Sequence, residues 1–339
     1  MNRKGFLKLL SVGGFGTLVA NTGYHSNVKN PIKPKKLQKG DTIGLISPGF
    51  ILPDPAKYDE IIDQIQKLGY KVKEGPNARN KYGYLAGKDN ERAADLNAMF
   101  ANDSVDAIMP FRGGWGCNRI LPLIDFGIIR NNPKIIVGYS DITTLLLSIY
   151  AKTGLVTFHG PVGKSKWTNY TTSHFKEVLS GRQRLFDIPN KNLCDECDEL
   201  SVISPGKASG TLLGGNLSVL SAMMGSDYLP NWNTSILFLE DVGEDVYRLD
   251  RMLTQLKLNG VLEEISGFIF GQCTSCEMSS SHSLTLQQVF DDHIKPLGIP
   301  AFSGAMTGHI DNMITLPVGL GVEIDAQEGI IKLKEDAVT

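Results

Sequence analysis

Apolar and polar positions in the first half of the chain alternate between two rhythms. Short apolar, β-branched runs stand at Thr42–Ser47 (TIGLIS), Val105–Phe111 (VDAIMPF), Lys134–Tyr139 and Val156–Phe158, and the alternating Tyr70–Lys73 reads as a further strand. Between them, at Tyr58–Leu68, Asp89–Phe100, Asn118–Leu123 and Asp141–Tyr150, apolar residues recur at helical spacing. Ile61, Ile62, Ile65 and Leu68, for example, share one face. Asp89 is placed to cap its helix, with Glu91 in the first turn. Runs that are apolar throughout suit strands covered on both faces. Strand and helix in alternation therefore predict an α/β domain with a doubly wound parallel sheet, whose ligands gather beyond the carboxyl ends of the strands.

The second half has a different pattern. Ser165–Ser204 is polar and irregular, with a short helix near His174–Leu179, and reads as a connection. Strands follow at Gly210–Leu213, Ser235–Leu239 and Ile265–Gly271, with helices running to Met224 and over Tyr247–Leu258 and Leu284–Ile294. After Ile299 short strands dominate, at Met313–Leu316, Val322–Ile324 and Ile330–Leu333. The expected organisation is an export signal and lead over 1–30, an α/β domain over 31–164, a connection over 165–207 and a smaller β-rich domain over 208–339. No internal repeat is evident.

The export signal rests on Arg3, Lys4 and Lys8 beside the weakly apolar Phe6–Ala20, with no acidic residue before Asp41. RKGFLK resembles a twin-arginine signal with one arginine replaced, which predicts export, to the periplasm in a cell that has one. No later run is long enough to span a bilayer. At 339 residues with a net charge of −2 the chain lacks a basic field for nucleic acid, leaving a small molecule or peptide as the expected partner. Five cysteines occur: Cys117, then Cys194 with Cys197, and Cys273 with Cys276. The two CxxC pairs lie too far apart for an ordinary zinc ribbon, so disulfides, zinc joined across the fold and free thiols all stay open.

The candidate chemistry centres on Lys134–Leu147, KIIVGYSDITTLLL, where a strand breaks into a helix at Ser140. Gly-x-Ser at such a junction is the core of a nucleophile elbow, which lifts the hydroxyl clear of the sheet beside an oxyanion-binding N–H. Ile142 replaces the second glycine, and a serine here also serves as a helix cap. The loop Arg112-Gly113-Gly114-Trp115-Gly116 and His159 end neighbouring strands. A serine nucleophile needs a base and an acid to orient it. His25, His174, His282 and His293 lack suitable company, which leaves His159 and His309. Glu240, closing SILFLE, is favoured over Asp241 as the acid. Two rivals stand beside this reading: Cys117 as a thiol nucleophile, and phosphate binding by the glycine loops RGGWG and LLGGN, which lack the P-loop Lys-Ser/Thr.

FRGGWGCNRILPLID, IIVGYSDITTLL, HGPV, GTLLGGNLSVLSAMMG, ILFLEDVGEDVYRLDRMLTQL and GHIDNMITLPVG resemble, in order, the LD-carboxypeptidase family of serine peptidases, which includes the microcin C immunity proteins. The resemblance implies a flavodoxin-like N-terminal domain, a homodimer, and a triad of Ser140, Glu240 and His309 that needs no cofactor. It implies oxyanion N–H groups at Asp141 and at Gly113 or Gly114, and makes His159 a structural neighbour rather than the base. Arg112, Trp115 and His159 are the candidate substrate-binding residues, Arg112 for a substrate carboxylate or, equally, for an ion pair with a neighbouring Asp. The substrate that the resemblance implies is a muropeptide tetrapeptide stem, cut before its terminal D-alanine. Trp115 stands where the family commonly has Tyr, and the Cys194–Cys197 stretch lies outside its pattern. An immunity-type amidase would need an adenine-stacking wall, from Trp115 or Trp232, and a silent peptidoglycan-binding protein would keep the fold alone.

Overall fold

The computed structural model describes residues 30–187, 197–278 and 280–339, so the expected export signal and Cys194 lie outside the described residues. The strands in chain order are β1 (Thr42–Ile46), β2 (Lys71–Glu74), β3 (Ala107–Pro110), β4 (Ile135–Gly138), β5 (Thr157–His159), β6 (Leu185–Phe186) and β7 (Ser201–Ser204). They continue as β8 (Lys207–Asn216), β9 (Ser235–Val242), β10 (Gly267–Thr274), β11 (Ala301–Ser303), β12 (Leu316–Val318), β13 (Gly321–Asp325) and β14 (Ile330–Leu333).

The first sheet has the order β12-β5-β4-β3-β1-β2. Its five N-terminal strands are parallel; the apolar runs of β3, β4 and β5 are buried along their whole length, whereas the edge strand β2, KVKE, alternates exposed and half-buried positions. Only β12 runs antiparallel, against β5. The helices Ala56–Lys67, Asp89–Ala101 and Thr143–Thr153 fall where the helical spacing placed them, within three residues at each end.

The second sheet has the order β6-β14-β13-β8-β9-β10-β11-β7, with β8 to β11 parallel and the outer pairings antiparallel. It is the mixed, β-rich layer expected of the C-terminal half. Segment 165–207 carries the helix Asn169–Leu179 and the edge strands β6 and β7. The strand expected at Met313–Leu316 instead begins at Leu316 and crosses to the first sheet. Which free edge a short strand joins is a long-range outcome that its own pattern does not contain.

Two local expectations change. Lys88, not Asp89, precedes the helix, and Glu91 Oε2 accepts from the Lys88 N–H at 2.7 Å, which leaves Asp89 to pair with Arg92 and Arg119. Cys273 and Cys276 form a disulfide, so neither is available as a thiolate ligand for zinc. Cys117 is a free, buried thiol. Among the described residues no helix is long and apolar enough to cross a membrane.

Candidate active site

The buried strand β4 leads through Tyr139 into a tight turn, Ser140–Ile142, before the helix Thr143–Thr153. Ser140 has φ +62°, in the left-handed region that costs a non-glycine residue about 1–3 kcal/mol. That strain is the conformation of a nucleophile elbow. The serine is not used as a cap, since no side-chain capping bond occurs at this turn or at the helix after it. Gly113 flanks the hydroxyl so closely that a Cβ there would lie 3.0 Å from Ser140 Cβ and 3.2 Å from its Oγ.

Two buried side chains hold the glycine loop against this turn. Asp141 Oδ2 accepts from the Cys117 N–H at 2.9 Å, and the fully buried Arg92 donates to the carbonyls of Pro48 and of Gly116. The N–H groups of Gly113 and Gly114 find no protein acceptor among the described residues. Burial, and next the Asp141 charge, push the Cys117 thiol well above its usual range. A buried, protonated thiol is no nucleophile, so the cysteine rival loses its basis. LLGGN is also accounted for without phosphate: Asn216 N–H donates to Thr143 Oγ1 at 3.0 Å, and a Cβ on Gly215 would come within 2.5 Å of that oxygen.

The parallel strand β9 ends in two buried carboxylates with separate duties. Asp241 accepts from Asn216 Nδ2 (3.0 Å) and from the N–H and hydroxyl of Ser218 (2.9 and 2.7 Å), and so ties down the start of the helix Leu217–Ala222. Burial, followed by the neighbouring Glu240 charge, pushes its carboxyl up to about 6. Glu240 is fully buried, and its Oε2 lies 2.9 Å from Nδ1 of His309. The His309 ring packs edge-on to Tyr139 at 4.8 Å, which joins the imidazole to the residue before Ser140.

His159 is 1% exposed, between Tyr139 and Phe238, and neither ring nitrogen has a partner among the described residues. Burial pushes its pKa down to about 4. A neutral ring enclosed in this way leaves no surface for the substrate contact expected of it.

Residues 43–160 match the LD-carboxypeptidase N-terminal domain, and residues 209–324 the LD-carboxypeptidase C-terminal domain. The chain belongs to the LD-carboxypeptidase family. It is a serine hydrolase of the carboxypeptidase type. Over 302 residues it is 40% identical to the "Probable murein peptide carboxypeptidase" of Bacillus subtilis (strain 168), a match that spans 87% of this chain and 92% of that protein. The structure of MccF in complex with glutamyl sulfamoyl guanosine superposes with a TM-score of 0.82 at 28% identity, over 91% of this chain and 100% of that one. For the muramoyltetrapeptide carboxypeptidase from Oxalobacter formigenes the TM-score is 0.74 at 28% identity, over 86% and 97%.

In this member of the family Arg112 faces a cavity of about 670 Å³ walled by Phe50, Leu52, Tyr58 and Tyr84. Its guanidinium lies over the Phe50 ring at 5.5 Å and forms no ion pair among the described residues, so no neighbouring aspartate neutralises it. Trp115 is exposed and edge-on to Tyr84, whereas Trp232 is buried ahead of β9, at the opposite end of that strand from Glu240. Arg92 and the Asp141 carboxylate were not singled out from the sequence. For Arg92 a signal existed: it shares a helical face with Leu96 and Met99, and a charge within such a face has a polar task.

Proposed function

We propose that the peptidase removes the terminal D-alanine from muropeptide tetrapeptide stems by a Ser–His–Glu acyl-enzyme mechanism. The observation that carries this reading is the 2.9 Å bond from buried Glu240 to His309 Nδ1, with the His309 ring packed on the residue that precedes the strained Ser140. Neutral His309 takes the Ser140 proton at Nε2 as the hydroxyl oxygen attacks the scissile carbonyl. Glu240 holds the ring in that tautomer and stabilises the imidazolium. Backbone N–H groups of Asp141 and of Gly113 or Gly114 receive the oxyanion, each worth ~10²–10³ in rate. His309 then protonates the leaving amine, D-alanine departs, and water releases the acyl group by the same steps in reverse order. Arg112, without an ion-pair partner among the described residues, is suited to a substrate carboxylate.

The names of the relatives, a murein peptide carboxypeptidase and a muramoyltetrapeptide carboxypeptidase, support the substrate class. Incubating the enzyme and its Ser140→Ala variant with an L,D-tetrapeptide tests the reading. D-Alanine is expected from the parent alone; release by neither would sink the carboxypeptidase assignment, and release by both would sink the nucleophile. The basic lead at Arg3–Lys8 supports export, where the cell wall is the substrate, and recovery of the protein from the cytoplasmic fraction alone with Met1 intact would refute it. A homodimer is expected on gel filtration with light scattering, and a monomer there would remove that part of the reading.

A further inference from the structure

We propose that Thr274 is a positioning residue for His309, and that the Cys273–Cys276 disulfide holds Thr274 in place, so that turnover depends on the oxidation state of this cysteine pair. The proposal rests on the reading of His309 as the base.

His309 belongs to no helix or strand, so its ring takes its direction from a few anchors. Glu240 fixes one edge and Tyr139 packs on the ring. The backbone is held from β10: Gln272 N–H donates to the Thr307 carbonyl at 2.9 Å, and Thr274 Oγ1 donates to the His309 carbonyl itself at 3.0 Å. Thr274 lies inside the four-residue ring that the disulfide closes.

The same ring is joined to the strand of the acid. Cys273 pairs in register with Asp241, the residue after Glu240, and the Gly243 N–H donates to the Thr274 carbonyl at 2.9 Å. One short covalent loop therefore touches both the loop of the base and the strand of the acid. Ser275, within it, has φ +55°, a conformation that a serine keeps only where its surroundings impose it. The disulfide is the nearest such constraint, and without it the turn is free to relax and withdraw the Thr274 hydroxyl.

Both cysteines are half-buried and Ser275 is exposed, so a small dithiol can reach the bond. One thiolate of the dithiol attacks a cysteine sulfur, forming a mixed disulfide and expelling the other cysteine as thiolate. The second thiol then closes on the first, giving the cyclic oxidised reductant. Both protein sulfurs end as thiols, carrying the two protons the dithiol brought.

The test compares kcat, KM and the rate of Ser140 labelling by a fluorophosphonate. Labelling reads the serine–histidine pair whatever peptide the enzyme prefers. Thr274→Val is expected to lower kcat and the labelling rate about five- to tenfold at unchanged KM, as loss of one hydrogen bond would, and Thr274→Ser to restore both. Dithiothreitol should lower the parent to the same level. A Cys273→Ser/Cys276→Ser variant should start at that level and ignore the reductant, while Cys194→Ser/Cys197→Ser should respond as the parent does. Parent-like kcat and labelling in Thr274→Val would overturn the proposal, as would full activity in a parent whose Cys273 and Cys276 are shown by mass spectrometry to be reduced. Label entering Ser140→Ala would instead refute the nucleophile.

Discussion

The Ser140 turn and the His309 loop touch through Tyr139 but are built by opposite means. At Ser140 the geometry is local: a buried strand, a single left-handed residue and a helix fix the hydroxyl within a few positions of sequence. At His309 it is assembled from afar, since the ring depends on a carboxylate 69 residues earlier and on side chains at the end of β10. A nucleophile set by its own backbone tolerates change in distant side chains. An imidazole set by its neighbours inherits every displacement of theirs.

The largest test of that contrast is Glu240→Gln. The amide keeps the volume but stabilises no imidazolium, and kcat should fall ~10³–10⁴-fold while circular dichroism stays that of the parent. A loss under tenfold would mean that the ring is oriented without its distant partner. On the local side, Gly113→Ala places a methyl 3.2 Å from Ser140 Oγ and should lower kcat by ~10² if this N–H serves the oxyanion. Arg112→Met is expected to raise KM about tenfold with little change in kcat, the mark of a lost charge-assisted bond to bound substrate.

The smallest catalytic effect should come from His159→Phe, with kcat within about twofold of the parent because neither nitrogen has a partner among the described residues. Its signature lies in stability. The folded His159 pKa, about 4, is below the ordinary value of 6.5, so the unfolded chain binds a proton first. Stability present above pH 6.5 is therefore lost as pH falls towards 4. The difference in urea midpoint between parent and variant should move in the variant's favour across that window, and a pH-independent difference would refute the burial argument.

The same contrast explains what the sequence disclosed. The parallel sheet was legible because its central strands are apolar, and the elbow because GYSD interrupts such a run. Glu240 and His309 each end or follow an apolar strand, yet no spacing rule connects them; the family resemblance did. Asp241 illustrates the limit: beside Glu240 and equally acidic, it is committed to a helix start that only the fold brings near. The Thr274 hydroxyl is invisible for the same reason, as its acceptor is a backbone carbonyl 35 residues on.

The crossing of β12 into the first sheet also bears on how the molecule is made. During synthesis the α/β sheet has all its parallel strands by residue 159, but β5 keeps an open edge until residues 316–318 arrive to cover it. For that interval the nascent N-terminal half presents an unpaired strand, a site for association with other chains. A fragment ending before Leu316 would carry that exposed edge permanently.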